Sequence, residues 1–396
     1  MFKRLGWFYL SCLAAFTAGH MINYGVIIYA QEVIRADLLS GLAFGLCFGP
    51  PLLLGWPAGA LCDRLAPGRL IHAAQASFFV AALLLWWADA ALPTPAQRVP
   101  ALLLAALLAG VGWSFVAPAR MAALGQVARP EEIKPASVLF NLLVMMGFGL
   151  GPLAIALLRR AAGWPGVFLG AATLFVLASA ALLAVRTRAS GRVHGALVAE
   201  VREGLAAVAS RPLLRELMLA ATTGYLAMGP MTVLLPKLAS TRLGLAELQR
   251  GAFLGALALA LIAGGLLALA LTRRAHHGRS ILLATGVAGI ALASLGLVGT
   301  AGAALALLAT VGMAGGLALS LIVAGIQAQA PDALRGRIVS LYTIVSQVVP
   351  AASGVAAGAL VQAFGVGTAL LACGALLAAA TAANAVWMRA LRAHRG

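Results

Sequence analysis

Apolar stretches of about twenty residues recur along the whole chain, and that recurrence limits what it can fold into. An α-helix rises about 1.5 Å per residue, so roughly 20 apolar residues cross the hydrocarbon of a bilayer. Twelve such stretches are read, at 5–30, 40–61, 70–88, 100–117, 135–158, 165–185, 213–235, 250–271, 280–298, 303–326, 338–361 and 366–388. Only 10% of residues are charged and 62% are hydrophobic, against about 25% charged in a soluble domain. No soluble fold hides that much apolar surface, so lipid must cover it. The first stretch, Trp7–Ala30, is longer than the apolar core of a signal peptide and has no small-residue cleavage site, so it is read as a mature span.

The chain carries 28 Lys and Arg against 11 Asp and Glu, for a net charge of +17. Their placement speaks for lipid and against nucleic acid. With the N-terminus in the cytoplasm, 21 of the 28 basic residues fall on the cytoplasmic side. The other seven are Arg35, Arg98, Arg159, Arg160, Lys237, Arg242 and Arg250. That bias puts both termini in the cytoplasm of a bacterial inner membrane, with the basic loops against lipid headgroups. Cys12, Cys47, Cys62 and Cys373 have neither metal-ligand spacing nor a disulfide framework, so no metal or cofactor is expected.

The chain repeats internally. Pro130-Glu131-Glu132-Ile133-Lys134 matches Pro331-Asp332-Ala333-Leu334-Arg335 at an offset of 201, and Gln126 matches Gln327 and Tyr24 matches Tyr225 at the same offset. The expected fold is therefore an all-α membrane protein of twelve transmembrane helices in two pseudo-symmetric six-helix bundles. Residues 1–185 form the first bundle, 186–212 a basic cytoplasmic connector and 213–396 the second bundle. Repeated halves with a binding site between them are the plan of alternating-access carriers.

The segment Gly59-Ala60-Leu61-Cys62-Asp63-Arg64-Leu65-Ala66-Pro67-Gly68-Arg69 resembles the signature loop of the major facilitator superfamily. Three further segments resemble its enterobactin-exporter and drug-exporter branch: Pro118-Ala119-Arg120, Asn141 with Gly147-x-x-x-Gly151-Pro152, and Pro331 to Tyr342. The resemblance implies that the Asp63 loop latches the two halves on the cytoplasmic side. Partners for the Asp63 carboxylate would be Arg64, Arg69, Arg120 or the helix start near Asp332. Gly59, Gly68, Arg335 and Arg337 complete the expected gating loops. Gly147, Gly151 and Pro152 are expected to kink helix 5, because proline removes a backbone hydrogen bond. In the family this stretch is associated with exporters, although Leu153-Ala154-Ile155 here replaces the expected paired glycines.

His20, Asn23 and Tyr24 lie at i, i+3 and i+4 and so share one face of helix 1. Thr222, Thr223 and Tyr225 occupy the same depth in helix 7. Polar groups within spans tend to face a water-filled cavity or the bundle interior. These six, with Trp113, Asn141 and Gln347, are the expected lining of a substrate cavity; hydrogen bonding between helices is the plainer role for the same residues. All eleven acids fall in loops or near span ends, and helix 4, ended at 117, holds no buried arginine. His20 is thus either a proton carrier or a neutral contact for the solute.

No phosphate-binding Gly-x-x-x-x-Gly-Lys-Ser/Thr loop, zinc-protease His-Glu-x-x-His motif or nucleophile elbow occurs, which excludes ATP-driven transport by this chain alone and enzymatic catalysis. The sequence reads as a monomeric secondary transporter exporting a small amphipathic solute of siderophore or drug type, driven by an ion gradient, protons included. A lysophospholipid transporter of the same superfamily is the second reading, and a transport-inactive sensor or scaffold the third.

Overall fold

In the computed structural model, residues 2–189, 197–271, 276–331 and 334–394 are described, and among them every element is helical. Helix α1 (Phe2–Tyr29) runs into a widened turn, Ala30–Ile34, which Arg35 closes in a left-handed conformation by donating its backbone N–H to the Ala30 carbonyl. There follow α2 (Asp37–Phe48), α3 (Pro51–Arg64), α4 (Pro67–Ala91), α5 (Pro95–Val127) and α6 (Ile133–Leu183). The amphipathic α7 (Leu197–Ser210) precedes α8 (Pro212–Tyr225), α9 (Met228–Lys237) and α10 (Glu247–Leu271). The chain ends through α11 (His277–Leu295), α12 (Ala301–Gln329), α13 (Arg335–Trp387) and the short α14 (Arg389–Ala393). Proline opens α3, α4, α5 and α8, where its missing N–H costs nothing and its fixed φ suits the first turn.

Among the described residues, ten helical stretches are long and apolar enough to span a membrane, not the twelve expected. The difference has a local cause. Pro135–Leu183 is 49 residues and Arg335–Trp387 is 53, each about 70–80 Å long at the helical rise, more than twice the roughly 30 Å of hydrocarbon. Both carry a backbone break. Ala162 and Gly163 are non-helical in α6, as is Gly365 in α13, with φ of 64° at Gly163 and 78° at Gly365. Only glycine enters that region without strain, so each break falls where the sequence supplies one. α6 keeps helical dihedrals through Pro152, and its break at Ala162 and Gly163 falls between the stretches read at 135–158 and 165–185.

The chain divides into two contact units. Unit 1 holds Met1–His194 with Ala246–Gly255, and unit 2 holds Gly195–Leu245 with Ala256–Gly396. In unit 1, α1 packs along α6. A Cβ added to Gly147 would come 2.5 Å from the Cβ of Phe16, and one on Gly151 would come 2.9 Å from that of His20. Small residues let two backbones approach this closely where water provides no driving force between helices. In the same unit the Gly68 N–H donates to Thr187 Oγ1 at 2.9 Å, and the Gln126 side-chain amide pairs with both backbone groups of Arg188.

In unit 2, α11 packs on α13 through Gly289 and Gly374, and α14 lies over the starts of α8 and α11. Glu216, buried on α8, accepts the Leu391 backbone N–H at 2.6 Å. The His277 and His394 rings meet at 5.9 Å. The connector helix α7 is tied to the first turn of α13 by an ion pair between Glu203 and Arg337. Arg337 is therefore a helical residue engaged with α7 and not part of an open gating loop.

Candidate functional site

The polar face expected on helix 1 exists, and unit 1 gathers it with aromatic residues from two other helices. The Trp113 indole N–H, from α5, donates to Asn23 Oδ1 at 3.1 Å. The His20 ring lies 5.1 Å from Trp113 and 5.2 Å from Phe148 of α6, edge-on to the latter, and Tyr24 lies 5.6 Å from Phe148. Phe16 continues the wall, parallel to Trp113 at 6.3 Å. Gly19 and Gly151 make room for this assembly, since a Cβ on Gly19 would meet the Trp113 ring at 2.8 Å.

The face is closed, not open to a cavity: His20 is 7% exposed, and Asn23 and Tyr24 are 1% each. Three of its polar atoms are nevertheless without a partner, namely His20 Nε2, Asn23 Nδ2 and the Tyr24 hydroxyl. A buried polar atom left unpaired carries its full desolvation cost, and such a cluster needs an explanation. His20 faces aromatic rings, which offer no relay for a proton.

Other expected lining residues do not join this face. Asn141 is exposed, because α6 turns Phe140, Gly147 and Gly151 toward α1 and Asn141 lies about 100° further round the helix. In unit 2 the Thr222 and Thr223 hydroxyls donate to the carbonyls of Met218 and Leu219 in their own helix, and Thr223 also accepts from Asn384 at 2.8 Å. Thr223 thus ties α8 to α13, the plainer of the two roles open to it, while the Thr222 bond stays within its own helix. Tyr225 shares a 2.6 Å hydrogen bond with Tyr342, and the Gln347 Oε1 is buried without a partner. A cavity in unit 2 is lined instead by apolar residues that sequence reasoning passed over, including Met228, Met231, Leu261, Val311 and Leu377. It forms where α8 gives way to α9.

The gating residues divide. The surroundings of Gly59, the side chain of Asp63 and residue Asp332 lie outside what is described. Arg64 and Arg69 are exposed. Arg120 corrects the sequence reading most. α5 does not end at 117 but runs through Pro118 to Val127, and Arg120 is a helical residue with no exposure at all. It donates to Cys12 Sγ at 3.1 Å and to the Ser11 carbonyl and hydroxyl at 3.2 and 3.3 Å, and its guanidinium lies 5.5 Å from the centre of the Phe16 ring. Helix 4 thus does hold a buried arginine.

One ionic cluster escaped sequence reasoning. Glu32 accepts from Arg159 at 2.5 Å and from Arg250 at 2.6 Å, while Arg159 also meets Glu247 at 2.9 Å and lies 4.7 Å from the centre of the Trp164 ring. All of it lies within unit 1. Close by in the sequence, Arg98 pairs with Asp89 at 3.1 Å, and Tyr29 donates to Asp89 at 2.6 Å. The only sequence signal was that Arg35, Arg98, Arg159 and Arg250 had been assigned to one membrane side together.

Comparison with known proteins fixes the family. The sequence profile described as Major Facilitator Superfamily matches residues 8–354. No curated protein matches. Among solved structures, a POT family transporter in complex with 5-aminolevulinic acid superposes with a TM-score of 0.81 at 12% identity, covering 98% of this chain and 96% of its own. A bacterial homologue of the iron transporter ferroportin gives 0.73 at 15%, covering 97% and 99%. A bacterial homologue of the human lysosomal transporter Spinster gives 0.69 at 17%, covering 97% and 95%. At these identities the likeness is one of fold. These structures are peptide-transporter, ferroportin-like and Spinster-like proteins, which overturns the enterobactin-exporter and drug-exporter assignment. The segments that suggested that branch serve packing here: Gly147 and Gly151 seat α1, and Arg337 anchors α7. The chain belongs to the major facilitator superfamily, and it is a multi-pass, alternating-access secondary transporter of small solutes and not an enzyme.

Proposed function

We propose that this transporter moves a small amphipathic solute out of the cytoplasm across a bacterial inner membrane, driven by an ion gradient, and that the helix 1 face of unit 1 touches the solute. The observation that carries the reading is the set of three unpartnered polar atoms, on His20, Asn23 and Tyr24, within the aromatic wall of Trp113, Phe16 and Phe148. A solute with one hydrogen-bonding edge and one apolar side satisfies both features as the face opens. His20 acts as a neutral contact in this scheme, since no proton relay adjoins it. The protein works as a monomer with both termini in the cytoplasm. α6 and α13 each make two passes, hinged at Ala162-Gly163 and at Gly365, for twelve crossings in all.

The test is uptake into inside-out vesicles under an imposed ion gradient, with His20→Ala and Asn23→Ala as variants. Loss of uptake in both, with the fold retained, supports the reading. A second reading is a lysophospholipid as solute; the apolar lining at Met228, Met231, Leu261 and Leu377 would meet an acyl chain only once this cavity, closed to about the size of one water molecule, widens. Movement of a lysolipid and of no water-soluble solute would select it.

A further inference from the structure

We infer that Arg120 is the docking point for an oxyanion, a carboxylate or phosphate carried by the solute, so that the transported compound is an anion. The inference rests on the carrier reading above and adds the charge of its solute. Arg120 is fully buried, and arginine is the side chain that keeps its charge in a protein interior. Buried charges are paired as a rule, because an unpaired one loses hydration with nothing in return. Among the described residues, the Arg120 partners are a thiol, a hydroxyl, a carbonyl and the face of Phe16, none of which bears a negative charge, and Nε has no partner there. A second orphan lies nearby on α1. The Tyr9 hydroxyl is buried and unpaired, and Tyr9 sits one turn before Cys12 on the same helical face.

A guanidinium with an idle Nε, a serine hydroxyl and a free tyrosine hydroxyl make a donor set for a planar or tetrahedral oxyanion. The guanidinium fork matches two such oxygens at once. Phe16 touches both Arg120 and Trp113, so the charge site joins the His20 face through a single aromatic ring. A solute with its acid on Arg120 and its body along Trp113 uses the whole seam.

The anion could be free or the headgroup of a lipid, and the two sources separate experimentally. The purified chain is melted in a neutral detergent with inorganic phosphate or succinate, and separately in nanodiscs of phosphatidylcholine with or without phosphatidylglycerol. The expected result is a saturable rise in Tm with at least one of these anions. Arg120→Met should weaken the apparent affinity about tenfold or more, and Arg120→Lys should give an intermediate loss. Saturation by the soluble anions assigns a free solute, and a response confined to phosphatidylglycerol assigns a lipid. Should Arg120→Met fail to fold, Tyr9→Phe serves as the second variant and should weaken binding without removing it. Equal anion responses in wild type and Arg120→Met, or no saturable response in the wild type, would overturn the inference. Binding lost in Arg120→Met but kept in His20→Ala sinks the His20 face and leaves the anion site standing. The reverse pattern does the opposite.

Discussion

Gly151 of α6 faces His20 of α1 so closely that a Cβ there would stand 2.9 Å from the His20 Cβ, and Gly147 stands in the same relation to Phe16 one turn away. The two pairs set the distance between α1 and α6 and, with it, the position of the proposed solute face. Gly147→Ala and Gly151→Ala should each push the helices apart at a cost of about 1–3 kcal/mol, the range for overpacked cores. A thermal melt in detergent checks this, and the double variant should lose more than either single one.

Glu32 binds Arg159 and Arg250 together. Its carboxylate is partly exposed, so each pair is worth less than a buried one, and Glu32→Gln should cost about 1–2 kcal/mol in total. Screening distinguishes this from a packing defect. The gap between wild type and Glu32→Gln should narrow between low and about 1 M salt, where the screening length falls to about 3 Å. A gap that does not change with salt would point to packing instead.

Glu216 clamps the C-terminal helix by accepting the Leu391 N–H, and His394 lies beside His277 at the same end. Burial, and then the neighbouring His277, push the His394 imidazole below its ordinary value of 6.5. A base with a lowered folded value takes up protons more readily when unfolded. Its contribution is intact above about pH 6.5 and is lost as pH falls below that. The melting temperature should therefore drop on acidification, and less steeply in His394→Phe. Glu216→Gln should weaken the clamp by about 1.5–3 kcal/mol, as for a hydrogen bond to a charged group.

Much of the plan was legible in the sequence, because lipid imposes a strict length on apolar segments and spacing alone groups His20, Asn23 and Tyr24 on one face. What escaped detection depends on the third dimension. Glu32 and Arg250 are 218 positions apart, and nothing local marks them as partners. Arg120 was misplaced because the apolar stretch was ended at 117, whereas α5 runs on through Pro118 to Val127. Thr222 and Thr223 looked like a cavity lining, yet back-bonding to their own helix gives their hydroxyls a local partner. The junction between the stretches read at 135–158 and 165–185 is made at Ala162-Gly163, where the left-handed φ calls for glycine.

The helix 1 face is the heart of the proposed mechanism, and solute counterflow in proteoliposomes tests it most directly. Wild type, His20→Ala and Asn23→Ala are reconstituted at equal density, after melts show that all three are folded. They are then assayed with 5-aminolevulinate, dialanine, succinate and a lysophosphatidylglycerol. At least one of these solutes should exchange in wild-type vesicles, and both variants should slow that exchange about tenfold, the loss expected when a hydrogen bond of about 1.4 kcal/mol goes unmade. Equal exchange in all three proteins, or wild-type vesicles no faster than protein-free ones with every solute, would contradict it.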